Sequence, residues 1–364
     1  MSRAHNFSAG PAVLPLPVIE QLRDALPEFG DTRLGLMELS HRSQAFSEVV
    51  TSIQDSIRSL LSIPGDYTVL LQQGGASLQF YALALNLLRP GEAAEYLDTG
   101  TWSSKAIKEA RRVSDRIEVS WTGKEQTYRE LPLGQSFPSG TSPVFLHYTS
   151  NNTIYGTQWP VAPHHGSALL VSDMSSDICS RPLDVSDHDV IYAGAQKNLG
   201  PSGVTVVILS PRAMERSAAA ESLPSMLDWT LQADKGSLFN TPNTFGLYAL
   251  DRVLSWLKEQ GGLNAMATRN REKAAMLYEE LDGRDFWQPH AHVDARSLMN
   301  VTWRAPSEAL EAQFISEADK AGLKGLKGHR SVGGIRASIY NACPVQSVHD
   351  LVAFMREFAD RNQG

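Results

Sequence analysis

One lysine stands alone in the stretch VIYAGAQKNLGPSGVTVVILS, Val190 to Ser210. Apolar runs flank it, and a turn built on Gly200, Pro201, Ser202 and Gly203 follows. Lysine is seldom buried, so Lys197 is either a surface turn residue or an amine kept for covalent chemistry. Residues at neighbouring strand ends bear on the choice. Asp173 closes the apolar run ALLVSD; its carboxylate can cap a turn or hold a heterocyclic nitrogen protonated. Gly74 and Gly75 follow YTVLL in QQGGASLQF. Glycine permits a tight turn there, and the amides of Ala76 and Ser77 would face an anion at a helix N-terminus. No Lys-Ser/Thr pair follows at the spacing of a P-loop. Trp102, in LDTGTW, is either core packing or a face on which a planar ring stacks. Thr153, in YTSNNTIYG, makes a turn hydrogen bond or offers its hydroxyl to a ring oxygen. Five strand ends thus present a phosphate cup, a ring, a hydroxyl, a carboxylate and an amine. That set suits pyridoxal phosphate: an amine holds the aldehyde as a Schiff base, and a protonated ring nitrogen draws electrons from a substrate carbanion.

These residues need a sheet to carry them. At 364 residues, 42% hydrophobic and 20% charged, the chain has ordinary globular composition and length for two domains. From residue 16 to 260 short apolar strands alternate with amphipathic helices, the pattern of an α/β domain with a mostly parallel sheet covered on both faces. Strands are expected at 68–71, 94–97, 144–148, 168–172, 190–193 and 204–209, and helices at 47–61, 78–88 and 105–112. In such sheets ligands bind outside the carboxyl ends of the strands. A further helix is expected from Pro242, with Gly261-Gly262 as a hinge. Residues 261–364 then read as a smaller α+β domain, across which residues 1–15 drape. Its elements are helices at 264–281 and 308–321, strands at 299–303 and 335–340, and a last helix whose Val348, Leu351, Val352, Met355 and Phe358 share one face.

The net charge of −7 argues against a general nucleic-acid surface. No apolar run approaches the roughly 20 residues of a membrane helix, and MSRAHNFSAGP has no apolar signal core. The expectation is a cytoplasmic protein with no nucleic-acid or membrane partner. Cys179 and Cys343 support neither a disulfide framework nor a zinc site, and no metal constellation accompanies the histidines.

The chain resembles the phosphoserine aminotransferases, class V aminotransferases within the fold type I pyridoxal-phosphate enzymes. FSAGPAVLP, ELSHRS, IYAGAQKNLGPSG, FNTPNTF and KGHRSVGGIRASIYNA carry the resemblance nearly end to end. It implies an aspartate-aminotransferase-like fold and pyridoxal 5'-phosphate as cofactor. Lys197 would bind it covalently and shuttle the substrate proton, Asp173 would pair with the ring nitrogen, Trp102 would stack, and Thr153 would reach the ring hydroxyl. Ala76, Ser77 and Gln196 would hold the phosphate, joined by Asn240 and Thr241 from the partner of a homodimer. The implied reaction transfers the amino group of L-glutamate to 3-phosphohydroxypyruvate, giving O-phospho-L-serine and 2-oxoglutarate in serine biosynthesis. Some members also aminate a phosphorylated four-carbon 2-oxo acid on the vitamin B6 route.

Both substrates carry two anions, which calls for clustered, forked cations. Arg336 is the candidate for the α-carboxylate, and His41, Arg42, His329 and Arg330 for the distal anion. Two positions depart from patterns in the family: Ala9 stands where some members have serine, and Ser77 where some have arginine. Rival readings fit less well. A cysteine desulfurase needs a nucleophilic cysteine on a mobile loop, whereas Cys343 precedes Pro344 after a strand. An alanine–glyoxylate type enzyme needs no two His-Arg pairs, a non-catalytic cofactor carrier needs no Arg336, and a plain phosphate-binding protein leaves Asp173 with Lys197 unexplained.

Overall fold

The computed structural model describes residues 3–137 and 142–363. The first two residues of the N-terminal segment and Gly364 therefore lie outside the described residues. A seven-stranded sheet is built from β1 (Thr68–Gln72), β2 (Ala94–Asp98), β3 (Ile117–Thr122), β4 (Phe145–Thr149), β5 (Leu169–Asp173), β6 (Val190–Gly194) and β7 (Thr205–Leu209). The spatial order is β1-β7-β6-β5-β4-β2-β3. All run parallel except β7, which is antiparallel to β1 and β6. β2, β4, β5, β6 and β7 are buried throughout, as expected where helices cover both faces.

On one face α1 (Leu16–Ala25) packs Val18 and Leu22 beside α2 (Gln44–Leu61), which presents Phe46, Val49, Val50, Ile53 and Ile57 to the core. Its N-terminus is capped by Ser43, which accepts from the Phe46 amide. On the other face lie α3 (Gly75–Leu87) and α4 (Thr101–Ala110), packed over Tyr96, Phe145 and Tyr192. Later come α5 (Thr244–Glu259) and α6 (Gly262–Asp282). A separate three-stranded sheet contains Gln288–Pro289, β8 (Asn300–Arg304) and β9 (Ile335–Ser338), with α7 (Glu308–Lys320) and α8 (Val345–Asn362). It has its own core around Trp287, Trp303, Phe314 and Phe358. The N-terminal His5–Asn6 pairs with Leu323–Lys324 beside it, and Phe7 is buried in that core.

Three differences from the sequence expectation have physical causes. β3 was not expected: it is an edge strand, and its run IEVSWT leaves side chains partly exposed, so the apolar signal is diluted. Helices α3 and α4 begin three and four residues earlier than expected, at Gly75 and Thr101, which puts Ala76, Ser77 and Trp102 on first helical turns. Pro242 stays outside α5, because Asn243 is the cap and accepts from the Gly246 amide at 2.9 Å.

Candidate active site

Five parallel strands deliver the candidate residues to one edge of the sheet. After β1 the chain turns at Gly74 (φ +84°) and Gly75 (φ +66°), where a non-glycine residue is strained. A Cβ on Gly74 would also stand 2.7 Å from Leu78 Cβ. This turn sets the first amides of α3 toward the cavity, the arrangement that binds anions. Gly75, Ala76, Ser77, Trp102, Thr149, Asp173, Ser175, Gln196 and Lys197 line one cavity of about 140 Å³. That is roughly tenfold the room one water needs, enough for a small aromatic ring.

Lys197 Nζ donates to Thr153 Oγ1 at 2.5 Å and lies 5.5 Å from the Trp102 ring centroid. Burial pulls this amine down to about 8, and the Asp173 charge opposes the fall. A substantial neutral fraction near neutral pH is what a nucleophilic or proton-accepting lysine requires. Asp173 is buried, and burial pushes its carboxyl up against the opposing effects of the Ser175 hydroxyl and amide and of Lys197. Ser175 N and Oγ both donate to Asp173 Oδ1, at 3.0 and 2.6 Å. No other hydrogen bond reaches this carboxylate among the described residues, so Oδ2 is available to a cation. Trp102 Nε1 and Thr149 Oγ1 are buried without partners.

The fit to a phosphorylated pyridine rests on these features together. A buried carboxylate with one free oxygen, an indole face, partnerless polar atoms, a helix N-terminus and an amine of lowered pKa share one small cavity. The N-terminal segment closes over them: Ala12 N donates to Gln196 O at 2.9 Å, and a Cβ on Gly10 (φ +145°) would touch Lys197 Cγ at 3.5 Å.

Arg336, on β9, faces the same site. Its Nη1 is 3.5 Å from Thr153 O, its Nε is buried without a partner, and burial holds its guanidinium below the usual range. No carboxylate forms an ion pair with it among the described residues. It is a cation waiting for an anion. His329 is held below the ordinary histidine range by burial and by the Arg336, Arg330 and Lys105 charges; with Arg330 it lines a separate cavity beside Arg304 and not the one around Lys197. Lys105 Nζ lies 4.4 Å from the Trp102 centroid.

The single chain does not bring every candidate together. His41 and Arg42 precede α2 and do not line the cavity; His41 Nε2 is buried and partnerless, and Arg42 is exposed. Asn240 and Thr241 also lie outside it, with Asn240 Oδ1 3.5 Å from Gln73 Nε2. Sequence reasoning missed Ser175, whose only signal is a serine two residues after Asp173, as in an Asx-type turn. It also missed Asn151, which lines the cavity just past β4, and Asn300 on β8: Asn151 Nδ2 donates to Asn300 Oδ1 at 2.8 Å, and Asn300 Nδ2 to the Tyr340 hydroxyl at 3.1 Å.

The aminotransferase class-V family model matches residues 4–351. Phosphoserine aminotransferases from Desulfotalea psychrophila and Geobacillus kaustophilus are each 49% identical to this chain, over 360 and 362 residues, covering 99% of both chains in each case. The solved phosphoserine aminotransferase from Bacillus circulans subsp. alkalophilus superposes with a TM-score of 0.95 at 44% identity, covering 100% of this chain and 99% of that one. An alanine–glyoxylate aminotransferase from Nostoc sp., at 17% identity and TM-score 0.79, covers 98% of this chain and 96% of its own and shares the fold alone. The chain belongs to the class-V aminotransferases, among the phosphoserine aminotransferases.

Proposed function

We propose that this chain transfers the amino group of L-glutamate to 3-phosphohydroxypyruvate, releasing 2-oxoglutarate and forming O-phospho-L-serine. The observation that carries the reading is the Lys197–Thr153–Asp173 constellation at one sheet edge with the unpaired Arg336 beside it. Bound pyridoxal 5'-phosphate supplies the electron sink for the substrate carbanion. Lys197 Nζ is the amine that would hold the cofactor covalently, and in its neutral form it would carry the proton to and from the substrate α-carbon. Its lowered pKa makes the neutral amine available for both tasks. Asp173, fixed by Ser175, would keep a proton on the ring nitrogen. Trp102 would pack on the ring, Thr153 would offer its hydroxyl to the ring oxygen, and Ala76, Ser77 and Gln196 would hold the phosphate. Arg336 takes the α-carboxylate, and His329 and Arg330 receive the distal anion, carboxylate in the donor and phosphate in the acceptor.

His41, Arg42, Asn240 and Thr241 complete the site from the second subunit of a homodimer, which accounts for their absence from this chain's own cavity. Residues 16–260 and 261–364 form the two domains between which substrate sits, in a cytoplasmic enzyme. Initial rates with both substrates varied test the reading. Parallel double-reciprocal lines and a strong preference for 3-phosphohydroxypyruvate over unphosphorylated hydroxypyruvate are expected. Intersecting lines, or equal use of both acceptors, would overturn it.

A further inference from the structure

We propose that Arg304 is a positioning residue for acceptor selection, a latch that fixes the loop carrying His329 and Arg330. The inference rests on the reading that these two residues receive the distal anion.

Residues 328–334 form a closed loop. Gly328 N donates to Gly334 O at 2.9 Å, Val332 N and Gly333 N donate to His329 O at 2.9 and 2.8 Å, and His329 Nδ1 bonds the Ser331 hydroxyl at 2.7 Å. These contacts shape the loop and do not attach it to anything else. Arg330 is exposed and makes no ion pair or side-chain hydrogen bond among the described residues, so its position depends wholly on the loop backbone. One side chain from outside bonds to the loop among the described residues. Arg304, the last residue of β8, donates from Nη1 to Val332 O at 2.9 Å. Its guanidinium is oriented in turn by the buried Glu311 of α7, whose carboxylate lies 2.7 Å from Nε.

The glycines fit this tether. Gly333 and Gly334 have φ of +74° and +72°, and a Cβ on either would stand 2.9 Å from an Arg304 side-chain atom. The loop therefore comes down on the guanidinium at residues that have no side chain to obstruct it. Arg304 bears on the anion through the loop and not by touching substrate, so its effect should fall on binding. A 1 Å displacement of a charged donor is enough to weaken a forked contact.

Steady-state kinetics of the holoenzyme with Arg304→Gln, Arg304→Lys and Arg330→Ala test this. Arg304→Gln should raise KM for 3-phosphohydroxypyruvate about tenfold or more, the scale of one lost charge-assisted hydrogen bond. It should leave kcat within about twofold, and raise KM for the singly charged distal carboxylate of L-glutamate by less. Arg304→Lys, which keeps charge and one donor, should recover part of the loss. An unchanged KM in Arg304→Gln, while Arg330→Ala raises it, refutes the latch alone. An unchanged KM in Arg330→Ala refutes the anion assignment beneath it. Equal losses with both substrates, together with a lowered melting temperature, would make Arg304 merely structural. Should Arg304→Gln not fold, Gly333→Ala distorts the same loop from the other side and must give the same KM signature.

Discussion

Arg336→Gln separates a binding role from a structural one, because the two predict opposite changes in stability. In the free protein the guanidinium is half-buried, its Nε has no partner, and no carboxylate pairs with it among the described residues. Removing such a cation relieves a desolvation cost of about 1 kcal/mol, discounted for partial exposure. The melting temperature should stay level or rise slightly. In the proposed role the forked guanidinium would give two charge-assisted bonds to the α-carboxylate, about 1.5–3 kcal/mol each. Glutamine returns one neutral bond of about 0.5–1.5 kcal/mol. The net loss is about 1.5–5.5 kcal/mol, or about 10- to 10⁴-fold in kcat/KM. Both donor and acceptor carry the α-carboxylate, so both half-reactions should suffer alike. Thermal melts and separate half-reaction titrations read these quantities. A melting temperature that falls by several degrees, or a loss confined to one substrate, would refute the reasoning.

Four further substitutions probe the same site and its support. Asp173→Asn should lower turnover by about 10²–10⁴-fold, in the range of lost acid–base function. Because Asp173 raises the Lys197 amine and burial lowers it to about 8, the rate of cofactor loading should rise with pH through a midpoint near pH 8 and level off above it in the unmodified protein. In Asp173→Asn that midpoint should move lower; a midpoint that moves up contradicts the pairing. Gly74→Ala should release cofactor on dialysis faster than Gly75→Ala. Both have positive φ, but only at Gly74 would the new Cβ meet Leu78, at 2.6 Å from Cδ2, while Gly75 has open space within 4 Å. The strain is about 1–3 kcal/mol, and equal retention by the two variants would argue against the steric account. Lys273 is fully buried in α6 and donates to Ile339 O, Tyr340 O and Cys343 O, at 2.8, 2.7 and 3.3 Å, just beyond the strand that carries Arg336. Lys273→Met strands these carbonyls and should cost about 2–4 kcal/mol in urea unfolding; an unchanged midpoint would show that they find other partners.

Legibility followed burial. Strands β4 to β7 were readable to within a residue or two because they are unbroken apolar runs buried on both faces, and reading their ends located Asp173 and Lys197. The edge strand Ile117–Thr122 was not readable, since Ile117 alone of its six residues is buried. The starts of α3 and α4 were placed too late, because Gly75, Thr101 and the residues after them carry no apolar periodicity, although the anion-binding role assigned to Ala76 and Ser77 already required them at a helix start. Arg336 lies near enough to His329 to lower its pKa, whereas the motif around His41 and Arg42 reveals nothing of where those side chains go in one chain. Ser175 and Arg304 escaped notice for a common reason. Each acts on another residue, through a hydroxyl on Asp173 or a guanidinium on the Val332 carbonyl, and such contacts leave no periodic trace.

The measurement that tests the central claim most directly is an absorption spectrum of the purified protein supplied with pyridoxal 5'-phosphate, repeated after L-glutamate and then after 3-phosphohydroxypyruvate. A cofactor band that glutamate bleaches and the phosphorylated oxo acid restores is predicted. A band that glutamate leaves unchanged would contradict the donor, and no band at all would contradict the role of Lys197.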